Sequence, residues 1–150
     1  MKRLRIYVDT SVIGGCFDKK FEEESRALLR LVREGKMILV VSDILAEELE
    51  GAPKSVQEEF GSLPPECLEA VTRSEETERL KNAYLAAKVV GPTHENDAHH
   101  VAMATVAGAD LIVSWNFRHI VHFDKIRGFN AVNLKEGYPL IDIRSPTEVI

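Results

Sequence analysis

The stretch LRIYVDTSVIGG, residues 4–15, sets the reading of the fold. Five residues of strand-forming type, 4–8, run straight into Asp9, then Thr10 and Ser11, and soon Gly14 and Gly15. β-Branched and aromatic side chains favour extended backbone. A carboxylate at the end of a buried strand is costly unless its charge is compensated. The stretch therefore predicts a strand whose exit carries an acid with something to hold.

Three further apolar runs follow: MILVV (37–41), LIV (111–113) and FNAVNL (129–134). The first of these is unbroken rather than alternating, as in strands covered on both faces. Helical patterns lie between them. EEESRALLRLVREG (22–35) places Ala27, Leu28, Leu31 and Val32 on one stripe and closes with Gly35. SDILAEELEG (42–51) has a Ser or Asp cap and a terminal glycine. SEETERLKNAYLAAKVVG (74–91) opens with a capping-box pattern at Ser74 and Thr77 and stops at Gly91-Pro92. NDAHHVAMATVAG (96–108) turns almost wholly apolar after His100. Strands alternating with helices predict a parallel α/β sheet with right-handed crossovers. Pro64-Pro65 marks a loop between two helical pieces, and residues 1–150 read as a single domain.

The chain has 150 residues, 45% apolar and 29% charged, the profile of a globular protein with a real core. No apolar run approaches a membrane span, and the opening MKRLRIYVD lacks the apolar segment of a signal peptide, so a cytoplasmic location is expected. Cys16 and Cys67 form no CxxC pair and read as reduced, partly buried thiols. With 24 acids against 19 Lys and Arg, the net charge of −5 argues against binding nucleic acid by bulk attraction. Local binding through metal ions and a small basic patch remains open.

Ligands of open parallel sheets bind beyond the carboxyl ends of the strands. The apolar runs end there in Asp9-Thr10-Ser11, Ser42-Asp43 and Ser114-Trp115-Asn116. Helices add two more acids. At 100° per residue, Glu48 falls within the stripe of Ile44, Leu45 and Leu49, where a glutamate needs a partner; snorkelling to water is the alternative. Asp97 lies on the side of Val101 and Ala104, or else Asn96 or Asp97 simply caps the helix. Clustered carboxylates repel unless cations intervene, and an all-oxygen donor set suits Mg²⁺ or Mn²⁺ rather than zinc.

These motifs in this order resemble the PIN-domain ribonucleases, most closely the VapC-type toxins of toxin–antitoxin pairs. IYVDTSVI is similar to the family's first strand with its Asp. SDILAEELEG is similar to its second motif, whose acid is Glu48. ENDAHHVAMATVAGADLIVSWNFRHI looks like its third and fourth motifs. The likeness spans about residues 4–134. It implies a three-layer sandwich, a central, mostly parallel sheet of four to five strands with helices on both faces. It also implies a metal-dependent endoribonuclease using Mg²⁺ or Mn²⁺. Asp9 and Asp97 would be the main metal ligands. Glu48 and Asn116 would complete the shell and position the attacking water, and Thr10 and Ser114 would bond the ligands or the scissile phosphate. One position departs from the family pattern: Ser114-Trp115-Asn116 carries an amide where an Asp is usual, removing one negative charge. An antitoxin partner covering the crevice and a homodimer are also implied; the apolar residues of the 22–35 and 74–90 helices could serve such contacts, and core packing explains them equally well.

NFRHIVHFDKIR (116–127) follows with Arg118, His119, His122, Lys125 and Arg127, a basic patch suited to an RNA backbone. Arg118 and His119, nearest Asn116, are the expected contacts; Lys125 and Arg127 read equally as a solvated helix face. HENDAHH (94–100) is dense in ligand types but lacks histidines at i and i+4, which argues against a zinc hydrolase and a zinc site; His99 and His100 read as solvated or hydrogen-bonded at a helix start. The rival of a different class is a non-catalytic binding module that keeps the fold. Trp115 is expected in the core.

Overall fold

Successive side chains of a strand point to opposite faces, and in the first strand both faces are apolar. The computed structural model, which describes residues 2–150, buries Ile6 and Val8 on one side and Tyr7 on the other, all completely. This strand, β1 (Leu4–Val8), sits at the centre of five parallel strands. With β2 (Met37–Ser42), β3 (Leu68–Val71), β4 (Leu111–Val113) and β5 (Asp142–Arg144), the order is β3-β2-β1-β4-β5. Ile6 stands in register with Leu39 and Leu111, and Val8 with Val113, so the same-face residues join into layers.

One face is covered by α1 (Thr10–Gly14), α2 (Glu22–Arg33), α3 (Asp43–Glu50) and α4 (Lys54–Gly61), through Val12, Leu28, Leu29, Val32, Leu45 and Val56. The other is covered by α5 (Glu75–Ala86), α6 (Glu95–Ala107) and α7 (Phe123–Lys135), through Leu80, Tyr84, Val101, Phe129 and Val132. The result is the expected three-layer α/β sandwich. Both cysteines are buried and free, and burial pushes the Cys16 thiol up to about 11, with Glu59 adding to it. Among the described residues no helix is long and apolar enough to cross a membrane.

One expectation needs correction. FNAVNL (129–134) is not a strand but the second half of α7: Phe129 and Val132, three apart, are its buried positions, with Asn133 beside them. A period of three to four outweighs the strand-like residue types. The edge strands are instead β3 and β5, of four and three residues; β5 buries only Ile143. For the apolar residues of the 22–35 and 74–90 helices, core packing is the reading the structure supports. Leu28, Leu29 and Val32 of α2 and Leu80 and Tyr84 of α5 are buried in the core. The large apolar side chains left exposed include Phe123 and Leu134 of α7 and nearby Leu140.

Caps fall where turn chemistry puts them. Ser42 accepts the Leu45 N–H at 3.2 Å at the start of α3, and Ser74 and Thr77 close a capping box on α5. Gly108 ends α6 at φ 67°, a left-handed conformation that favours glycine. From β1 the chain first builds outward to β2 and β3, then returns to place β4 on the other flank of β1. The strand order thus reverses between β1 and β4, and the crevice beyond their carboxyl ends is the place such sheets bind ligands.

Candidate active site

Asp9 leaves β1 at that crevice. It occupies the cap position of α1 with extended backbone, yet its carboxylate makes no capping bond. Its two oxygens accept instead from hydroxyls: Oδ1 from Ser11 at 2.5 Å and Oδ2 from Ser114 at 2.6 Å. Ser114 Oγ accepts the Asn116 N–H and Ser11 Oγ the Trp115 N–H, so the turn after β4 is tied to the turn after β1 through Asp9. Burial pushes the Asp9 carboxyl above its ordinary range. The nearby His100 and the two hydroxyls oppose that rise, while Glu48 adds to it.

Glu48 reaches the same crevice from α3. Its Oε1 accepts from the Thr10 hydroxyl at 2.6 Å and lies 2.8 Å from Nε2 of His100. Burial raises the Glu48 carboxyl, but the His100 contact and the Thr10 hydroxyl outweigh it and hold the group below its ordinary range. His100 is itself buried, with Nδ1 2.6 Å from the Tyr7 hydroxyl, which lies 2.8 Å from Ser42 Oγ. Burial pushes the Tyr7 phenol far up, so it keeps its proton and donates. The run of contacts from Ser42 through Tyr7 and His100 to Glu48 leaves none of these groups without a partner.

Asp97 enters from the first turn of α6 and is not the helix cap, a position His94 takes. Its Oδ2 stands 3.7 Å from Nδ1 of His94. Asp9, Glu48, Asp97, Asn116, Thr10 and His100 all line one cavity of about 510 Å³. Asp18 lines it as well, and no Lys or Arg does. Four carboxylates lining one cavity without a Lys or Arg are a donor set that a hard divalent ion fits, through oxygen donors.

The expected residues divide. Asp9, Glu48, Asp97, Asn116 and Thr10 meet at the cavity, and Ser114 lies buried beneath Asp9. Asn116 already commits one lone pair of its amide oxygen to the His119 N–H at 2.9 Å. Arg118 is exposed, His119 stacks on His94, and neither lines the cavity. Trp115 is a core residue as expected: it stacks on Phe21 at 4.2 Å and donates to Ser25 at 2.8 Å. His100 and Asp18 were not singled out from the sequence. The signal for His100 was its place three residues after Asp97, on the same helix face; Asp18 sits in a turn that no periodic pattern marks.

A family model described as PIN domain matches residues 5–118, about three quarters of the chain. The chain belongs to the PIN-domain family. Among solved structures, the PIN-domain chain is similar to one from the VapBC2 complex of Rickettsia felis bound to a promoter DNA fragment. The TM-score is 0.58 and the identity 16%, over 95% of this chain and 98% of that one. No curated protein matches the sequence. At that identity the structural likeness speaks for the PIN fold, and the chemistry has to be argued from the cavity.

Proposed function

We propose that the chain is a metal-dependent endoribonuclease and the toxin component of a type II toxin–antitoxin pair. The observation that carries this is the convergence of Asp9, Glu48 and Asp97 on one cavity without Lys or Arg, at the switch point of a PIN-domain sheet. Asp9 and Asp97 are the residues that would hold Mg²⁺ or Mn²⁺, with Glu48 and Asn116 completing the shell. When bound, the ion lowers the pKa of a water and neutralises charge on a phosphate. The chain's own residues do the rest. Ser11 and Ser114 fix the Asp9 carboxylate, and Thr10 and His100 fix Glu48 in its ionised form facing the crevice. Held so, Glu48 accepts a proton from the attacking water. Water oxygen bonds to phosphorus, the bond from phosphorus to the 3′ oxygen breaks, that oxygen takes a proton from solvent, and a 5′-phosphate and a 3′-hydroxyl result. Arg118 and His119 would contact the RNA backbone outside the cavity.

The VapBC2 neighbour is a toxin–antitoxin complex by name, which supports an antitoxin partner here. Exposed Phe123, Leu134 and Leu140 support self-association into a homodimer. A cytoplasmic site of action fits both. The alternative, a PIN-fold module that binds RNA or protein without turnover, is favoured by one observation: the amide oxygen of Asn116 already accepts from His119. The deciding experiment is cleavage of labelled single-stranded RNA with Mg²⁺ or Mn²⁺, wild type beside Asp9→Asn. Metal-dependent cuts lost in the variant establish the nuclease. RNA bound but uncut by the wild type favours the module.

A further inference from the structure

Beside the acidic cavity stands a second constellation of different chemistry. His94 ends a short 3₁₀ turn (Pro92–His94) and caps α6, Asp97 follows three residues later, and His119 comes from the loop after β4. One ligand atom from each of these three side chains lies within 4.8 Å of the others, and all three are half-buried. The two imidazoles stack, with centroids 3.6 Å apart and planes inclined by 25°, an arrangement in which the rings have to turn out of the stack before both lone pairs reach one ion. The His119 backbone is anchored by its N–H bond to Asn116 Oδ1. His94 Nδ1 and Asp97 Oδ2 are 3.7 Å apart, beyond a hydrogen bond.

We propose that His94, Asp97 and His119 form a zinc site with an open fourth position, distinct in donor set from the acidic cavity. Two imidazole nitrogens and one carboxylate oxygen suit Zn²⁺ and its transition-metal neighbours and discriminate against Mg²⁺, which prefers oxygen donors. Ligand bonds of 2.0–2.1 Å in a tetrahedron put donor atoms roughly 3.4 Å apart. The His94–Asp97 pair at 3.7 Å is therefore close to ligating distance, and the partly exposed His119 ring has to swing out of its stack on His94 to complete the set. That exposure also supplies an entry path for the ion. The histidine spacing within residues 94–100 gave no zinc pattern, because the second histidine comes from His119, 25 positions after His94 and on another element. Asp97 belongs to both constellations, so it is the group through which filling one site is felt at the other. The inference does not rest on the ribonuclease reading: it concerns binding, and it is tested without RNA.

The experiment is titration of the full chain with Co²⁺, read by visible absorption, followed by displacement with Zn²⁺, in wild type and in His94→Gln, His119→Gln and Asp9→Asn. The wild type is expected to give the intense bands of four-coordinate Co²⁺ at one equivalent, displaced by Zn²⁺ but not by excess Mg²⁺. Each histidine variant should weaken Zn²⁺ binding by at least about tenfold, the loss of one of three protein ligands, and Asp9→Asn by less than about twofold, since Asp9 is not a ligand here. Circular dichroism confirms that the variants are folded. Binding weaker than about 100 µM in the wild type, near the low end of specific affinity, would overturn the proposal. So would titrations unchanged in both histidine variants, or affinity lost in Asp9→Asn instead. A failed RNA cleavage assay with the Co²⁺ bands intact would count against the nuclease alone.

Discussion

At the scale of single residues, the site is built on carboxylates whose surroundings pull in opposite directions. Asp9 is buried beside another acid, and its carboxyl is raised. In the unfolded chain it ionises at the ordinary value, whereas the folded protein resists that ionisation. Stability is therefore lost as pH rises from the ordinary carboxylate value through the raised one, and the penalty is constant above it. Asp9→Asn removes the charge and keeps one acceptor oxygen for one of the two hydroxyls, while its NH2 can only donate to the other. In metal-free protein at pH 7 it should raise stability by about 1 kcal/mol, or roughly 2–4 °C in Tm for a chain of this size. The difference should close as pH falls below the ordinary carboxylate value. Mn²⁺ should raise the Tm of the wild type and not of the variant; calorimetry across pH, with and without the ion, checks both. His100 is the complementary case. It joins Tyr7 to Glu48, and His100→Ala leaves both short of a partner and opens a void. A loss of about 3 kcal/mol is expected, measured by urea unfolding. A loss under about 0.5 kcal/mol, the level of an ordinary surface substitution, would show that the chain of bonds contributes little.

At the scale of elements, the turn after β1 decides how closely the site's two halves approach. Gly15 follows α1 where a Cβ would stand 2.4 Å from Ser25 Oγ and 2.8 Å from Trp115 Nε1. Those atoms form the bond that seats Trp115 against α2. Gly15→Ala should cost about 1–3 kcal/mol by overpacking and weaken the hold on the turn that carries Ser114 and Asn116. The expected signature is a lowered urea midpoint together with a changed Trp115 fluorescence spectrum, Trp115 being the chain's single tryptophan. The elements also show where pattern reading reaches its limit. Long apolar strands and periodic helices were visible in the sequence; β3 and β5 were not, because edge strands this short hold few buried positions. Residues 129–134 misled for the opposite reason: the aromatic and β-branched types look extended, while their burial follows the helical period.

At the scale of the whole molecule, both faces of the sheet are covered, so any further apolar burial has to come from outside the fold. Leu134 and Leu140 line a shallow groove on the α7 side and are 61% and 63% exposed, with Phe123 at 71% on the same helix. Light scattering at micromolar concentration is expected to give twice the chain mass, and Leu134→Lys to shift it toward the monomer, a charge at an apolar contact being costly to bury. A monomer in the wild type would remove the homodimer from the proposal and leave the cavity argument untouched.

The sequence by itself determined the parallel α/β class, the first strand and its terminal Asp9, the stripe position of Glu48 and the helix that carries Asp97. Each is a local matter of period, residue type and the cost of burying a charge. Only the tertiary structure decided which groups stand beside them. Glu48 meets Thr10 and His100 across 38 and 52 positions of chain, Asp9 meets Ser114 across 105, and His94 meets His119 across α6 and β4. Such pairings leave no period in the sequence. They follow from the strand order around β1, which brings distant turns to one edge of the sheet, where buried polar groups have to find partners.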